Sequence, residues 1–176
     1  MKPNSLEAMK SSDLDDWATP HTFIEYLEEA YKIKFDLDAC ASADNYKIFP
    51  YMDKEIYCCF ANDWFGRHVF MNPPYGKHIK DFTNRAINQV ATYKVDNVWL
   101  LLPARSDTTW FQELVNHPTC HTVVFYQGRF NFQHPTRKKG SALFPSVLIR
   151  LKSIASNKTR IRKTYYTPLS THIRGF

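Results

Sequence analysis

The sequence predicts a single α/β domain built on a mixed, mostly parallel sheet, and three observations predict it. Apolar strand-like runs alternate with segments of helical periodicity through the first two thirds of the chain. Two further apolar runs near the back, separated by Gly128 and a basic loop, read as a hairpin-like C-terminal strand pair. A chain of 176 residues, 44% apolar and 15% aromatic, has enough material for one buried core. Helices are expected on both faces, because strands and helices alternate first and a hairpin comes last.

Taken in order, Phe23, Ile24, Leu27 and Tyr31 share one helical face between Pro20 and Ile33, with Thr19 as N-cap and Pro20 in the first turn. Lys34 to Ala41 suits a strand that feeds a tight turn of small residues. Ile56 to Ala61 and His68 to Met71 read as short strands, Lys77 to Tyr93 as a helix, and Asn97 to Leu102 as a buried strand. A helix over Asp107 to Asn116 follows, and strands over His121 to Tyr126 and Ser146 to Leu151 complete the sheet. No internal repeat is visible. The expected organisation is an N-terminal arm (1–15), one domain (16–151) and a basic C-terminal tail (152–176).

Charge is distributed unevenly. Residues 1–113 carry 12 Lys/Arg against 17 Asp/Glu, a net of −5, whereas the last 63 residues carry 11 bases and no acid. That polarity fits a polyanionic partner, since each neutralised phosphate releases condensed counterions. No apolar stretch is long enough to span a bilayer, and Met1 to Asp16 has no apolar core of the signal-peptide kind, so a soluble, cytoplasmic protein with no membrane partner is expected. Cys40, Cys58, Cys59 and Cys120 form no C-x-x-C pair, and His117, Cys120 and His121 have no convincing fourth ligand nearby. Reduced thiols and no metal are therefore expected.

Asn72-Pro73-Pro74-Tyr75, directly after an apolar strand, is the strongest chemical signal; average residue usage would produce it in about one chain per thousand of this length. Proline fixes its own φ and forces the preceding residue extended, so Asn72 and Pro73 are both locked. In such a platform the Asn72 side-chain oxygen and the Pro73 carbonyl can each accept a hydrogen bond from one planar NH₂ group. An exocyclic amine conjugated to a purine is a poor nucleophile, and gripping both hydrogens favours the form with a localised lone pair. Tyr75 can offer a flat face to a base drawn out of a duplex, which partly offsets the cost of unstacking.

From these residues outward the chain resembles the phage-type DNA N6-adenine methyltransferases, within the wider class of Rossmann-like amino-methyltransferases. Asp16 to Pro20 (DWATP) is similar to that family's opening motif, Leu37 to Ser42 (LDACAS) to its strand-end cofactor motif, and Asn62-Asp63-Trp64 to the acidic segment before the catalytic strand. Val69 to Tyr75 resembles the catalytic motif, while Leu101 to Phe111, Gly128-Arg129-Phe130 and Leu143 to Ser146 resemble later signatures. The resemblance covers about Asp16 to Leu151 in the family's order.

It implies S-adenosylmethionine as cofactor and double-stranded DNA as partner, with the target adenine flipped out and the enzyme acting as monomer or dimer in a bacterial host cytoplasm. Asn72, Pro73, Pro74 and Tyr75 would hold the base. Trp17, Thr19, Pro20, Asp38, Ala39, Cys40, Ala41, Asp53, Asp63 and Trp64 would surround the cofactor, Thr19 and Pro20 near its methionine end, Asp38 at its amino group and Asp63 at its adenine. Asp53 and Glu55 are both open as the ribose-binding acid, and either tryptophan is equally a packed core residue. Arg105, Arg129, Arg137, Lys138 and Lys139 would contact DNA. The loop from Ala39 to Asn45 departs from many relatives in having no glycine, so that Ala39, Ala41 and Ser42 stand in. Two alternatives remain: a methyltransferase-fold DNA-binding protein with impaired catalysis, or methylation of RNA or a protein glutamine amide.

Overall fold

A computed structural model describes residues 18–53, 58–132, 140–141, 144–154 and 163–168, with the backbone alone at 140–141 and 163–168. In chain order the elements are α1 (His21–Tyr31), β1 (Leu37–Asp38), β2 (His68–Met71), α2 (Ile79–Ala91), β3 (Asn97–Pro103), α3 (Thr109–Asn116), β4 (Cys120–Gln127), β5 (Asn131–Phe132), β6 (Gly140–Ser141), β7 (Ser146–Lys152) and β8 (Lys163–Pro168). Among the described residues no helix is long and apolar enough to cross a membrane.

The main sheet runs β1-β2-β3-β7-β4-β8. Strands β1, β2 and β3 are parallel, so their C-terminal ends share one edge. Strand β7 returns between β3 and β4, antiparallel to both, with Pro103 opposite Ser146 and Phe125 opposite Val147. The expected hairpin-like pair is therefore present, and its second strand is buried inside the sheet. Strand β8 lies parallel to β4 at the far edge, so the sheet extends beyond the expected boundary at Leu151. Strands β5 and β6 form a separate two-stranded pair.

Helices cover both faces, for the reason legible in β3: all seven of its residues are buried. Val98, Leu100 and Leu102 share one core with Val69 and Met71 of β2, Ala86 and Val90 of α2 and Phe111 and Leu114 of α3. Trp99 and Leu101 point the other way, into a core with Phe70, with Phe23, Ile24 and Leu27 of α1, and with Tyr126, Phe130 and Phe132. Each fully buried aliphatic or aromatic side chain contributes about 1.5–3 kcal/mol relative to exposure.

Two local expectations are corrected. Thr19 does not cap α1: Pro20 is the extended N-cap residue and makes no side-chain cap bond, while the Thr19 hydroxyl is used elsewhere. The stretch Cys58 to Ala61 is a turn, closed by the Ala61 and Asn62 amides on the Cys58 carbonyl, and not the end of a strand; Ile56 lies outside the described residues. It turns because its bulk packs across α2, with Phe60 against Phe82 and the Trp64 indole bonded to the Cys59 carbonyl. The neighbour of β1 is instead Tyr51, bridged in parallel to Asp38.

The entry into β2 is fixed by Asp36. Its carboxylate accepts from the Arg67 and His68 amides at 2.7 and 2.9 Å, and its own amide donates to the His68 carbonyl. Gly66 makes this approach feasible, with φ of +97° and a Cβ position that would lie 2.4 Å from Asp36 Cβ. Gly66→Ala should lower unfolding free energy by about 2–4 kcal/mol. Urea denaturation checks this, and a midpoint equal to wild type would show that the loop relaxes without cost.

Candidate active site

The parallel strands deliver two chemistry-bearing residues to one edge. Asp38 ends β1, Asn72 directly follows β2, and the strands are held together there by the Ala39 amide on the Phe70 carbonyl at 2.8 Å. Pro73 and Pro74 stop β2 as their missing N–H groups require.

Asn72 is oriented from a distance in sequence. Its Nδ2 donates to Thr19 Oγ1 at 3.1 Å, and Thr19 is itself buried. Because the amide group then points its nitrogen at Thr19, Oδ1 faces the other way, where it is buried and has no hydrogen-bond partner. Buried side-chain acceptors are nearly always satisfied, so the unpaired Oδ1 makes Asn72 a candidate binding group. Tyr75 is half-buried; its hydroxyl donates to the Leu101 carbonyl at 3.3 Å and its ring meets Phe132 edge to face, 6.2 Å between centroids. Burial pushes the phenol above its ordinary range, so it stays a neutral hydroxyl.

Asp38 is buried, and desolvation raises its carboxyl from 3.8 to about 7, against the Lys47 and Cys40 amides and the Lys47 charge, which pull it down. Those amides reach it at 3.2 and 3.5 Å. Ala39 is buried beside it, and Cys40 and Ala41 are half-buried. The Met52 amide donates to the Asp38 carbonyl and the Ala41 amide to the Met52 carbonyl, so Asp53 arrives beside the same loop as a partner of β1 would. Of the two acids left open, Asp53 is thus placed at this edge, and Glu55 lies outside the described residues.

Other expected residues stand apart. Asp63 is exposed and paired with Lys94 at 2.8 Å, an ion pair that holds its carboxyl below the ordinary range. Lys94 precedes the start of β3, so this pair lies at the opposite end of the strands from Asn72, and the structure does not bring Asp63 to Asp38. Trp64 is a core residue, its amide bonded to Gln89 Oε1 on α2. Both are held there because the chain between Cys59 and Trp64 docks along α2 through its backbone. Arg105 follows β3 and forms a two-point pair with Asp107 while lying 4.9 Å over the Phe144 ring. Arg129 is exposed beyond Gly128. Trp17, Arg137, Lys138 and Lys139 lie outside the described residues. Sequence reasoning missed the Thr19 bond to Asn72, the Phe132 wall and a second buried orphan, Ser146 Oγ. No sequence signal marks any of the three, since each arises from packing between distant segments.

The family model described as DNA N-6-adenine-methyltransferase (Dam) matches residues 7–167. The chain belongs to this family. It is 40% identical over 108 residues to the DNA N-6-adenine-methyltransferase of Haemophilus phage HP1 (strain HP1c1), a match covering 61% of each chain. A second relative, the DNA N-6-adenine-methyltransferase of Escherichia phage T1, is 39% identical over 101 residues, covering 56% of this chain and 40% of that one. The chain thus spans about three fifths and two fifths of these relatives. Among solved structures, a predicted O-methyltransferase of Agrobacterium tumefaciens aligns at 22% identity and a TM-score of 0.35, over 62% of this chain and 44% of that one.

Linkage gives the buried carboxylate a stability signature. Between about pH 4 and 7 the folded chain keeps a proton on Asp38 that the unfolded chain has released, so stability should fall as pH rises through this window and the cost is complete above it. Asp38→Asn should remove that slope and stabilise the free protein at pH 8 by about 2–4 kcal/mol. Urea midpoints at pH 5 and pH 8 test this; an unchanged slope in the variant would show that Asp38 is not the titrating group.

Proposed function

We propose that this protein transfers a methyl group from S-adenosylmethionine to the N6 amino group of adenine in DNA, with the target base flipped from the duplex into the Asn72 to Tyr75 site. One observation carries the reading: Asn72 Oδ1 is a buried acceptor without a partner, at the edge where β1 and β2 end. An exocyclic amino hydrogen is the donor it lacks. The Pro73 carbonyl, locked by the following proline, is the second acceptor for the same NH₂ group.

The residues at the β1 end fit the cofactor. Asp38, buried and short of a full counter-charge, suits the methionine ammonium group, and Asp53 beside it suits ribose hydroxyls. Ala39 and Ala41 keep that loop small. Bound cofactor would supply an electrophilic methyl on sulfonium sulfur. The chain's own contribution is placement: Thr19 fixes the amide, the prolines fix the backbone, and Tyr75 gives the base a flat wall whose hydroxyl is tied to β3. Burial keeps the Tyr75 phenol neutral, which agrees with a mechanism resting on acceptors instead of proton abstraction. The basic back half supplies phosphate contacts, with Arg129, Arg137, Lys138 and Lys139 as positioning groups.

Asn72→Ala should reduce turnover about 10²–10³-fold while leaving cofactor affinity within about twofold, because only the transition-state contact is lost. Methyl incorporation into DNA, with N6-methyladenine identified in the digest, and calorimetric cofactor titration measure the two. Parallel loss of both quantities would show that Asn72 supports the fold and not the reaction.

A further inference from the structure

Among the described residues, two buried side-chain polar atoms have no hydrogen-bond partner: Asn72 Oδ1 and Ser146 Oγ. Ser146 begins β7 and is only 1% exposed, so its hydroxyl is out of reach of bulk solvent. An alanine there would avoid the cost of a buried unpaired hydroxyl, and strand positions of this kind usually hold apolar residues.

The two orphans share one face and one end of the sheet. Phe70, Leu101 and Leu148 point into the core beneath α1. Strand alternation places Asn72 and Ser146 on that same side, two residues beyond Phe70 and two before Leu148. Continuing the registers Met71 to Leu100 and Leu101 to Leu148 sets Asn72 level with Leu101, while Ser146 stands opposite Pro103. Between them lie Leu101 and Pro103 of β3, an apolar strip. The Tyr75 hydroxyl, bonded to the Leu101 carbonyl, and Phe132, edge-on to Tyr75, border it. Strand spacing and rise put the two backbone positions about 12 Å apart, a gap that a side chain from each can narrow.

We infer that Ser146 reads the target base, its hydroxyl donating to N3 of the adenine whose N6 amino group is held by Asn72. In adenine, N3 lies directly across the six-membered ring from the carbon bearing N6. Because an amino N–H leaves the ring axis at about 60°, an adenine held by a hydrogen bond of about 2.9 Å at each end sets its two partner oxygens about 9 Å apart, which side chains on backbone positions about 12 Å apart can reach. In cytosine the atom across the ring from the amino-bearing carbon is the glycosidic nitrogen, which has no free lone pair. The pair Asn72 and Ser146 would thus satisfy adenine at both ends and leave Ser146 unpaired against cytosine, a form of discrimination that depends on the cost of an unmet buried donor. This inference rests on the proposed reaction and extends it by a residue at the other end of the base.

The test uses the full chain with duplex DNA carrying adenine, 3-deazaadenine or 7-deazaadenine at the target. Wild-type protein should lose about tenfold in kcat/KM on 3-deazaadenine and little on 7-deazaadenine. Ser146→Ala should lose about tenfold on adenine and nothing further on 3-deazaadenine, with a Tm equal to or above that of wild type. A wild-type enzyme that methylates 3-deazaadenine as well as adenine overturns the inference without needing any variant. So does a Ser146→Ala variant that remains sensitive to 3-deazaadenine, or one whose Tm falls because the hydroxyl held the fold. Failure of the wild type to methylate unmodified adenine would instead overturn the proposed reaction, and this inference with it.

Discussion

Everything at the candidate active site depends on where β2 starts and stops. Its first residues are gripped by the Asp36 carboxylate through two backbone amides, an arrangement that only a glycine at position 66 admits. Its last residue is followed by Asn72 and then by two prolines that cannot extend a ladder. Four residues of strand between these stops set the register against β1 and β3, and with it the level at which Asn72 emerges beside Asp38. A slip of one residue would turn Asn72 to the opposite face, away from Thr19.

Around that strand the protein tolerates polar groups that burial disfavours. Asp38 is driven toward neutrality by desolvation, Asn72 Oδ1 has no donor, and Ser146 Oγ has no partner. Each costs stability in the free chain, and all three lie at or beside one edge of a sheet that is otherwise well packed. The surrounding core bears that cost, because β3 is buried on both faces and helices cover the sheet from either side. This is the usual relation between a preorganised site and its scaffold, in which binding supplies the interactions that folding left unmet.

Several features of local structure follow from residues alone because the physics is local. The helices over Ile79–Ala91 and Thr109–Asn116 follow from periodicity, and the buried strand Asn97–Pro103 from an unbroken apolar run. Other expectations shifted when tertiary contacts competed with them. Thr19 has a good capping residue's chemistry, yet its hydroxyl serves Asn72, 53 residues away. Cys58 to Ala61 has strand-like composition but is folded as a turn against α2, and the parallel partner of β1 comes from Tyr51. Asp63 and Trp64 follow the same docking onto α2, which takes them from the edge where Asp38 ends.

By itself the sequence determined the alternation of strands and helices, the rigid Asn-Pro-Pro-Tyr turn and the basic back half, because each is written in neighbouring residues through periodicity, fixed φ or like charge. Only the tertiary structure decided which way the Asn72 amide faces, which acid stands beside Asp38, and that a serine from β7 shares the Asn72 face. Those outcomes depend on hydrogen bonds and strand registers between segments tens of residues apart, and no local pattern encodes which distant group will arrive.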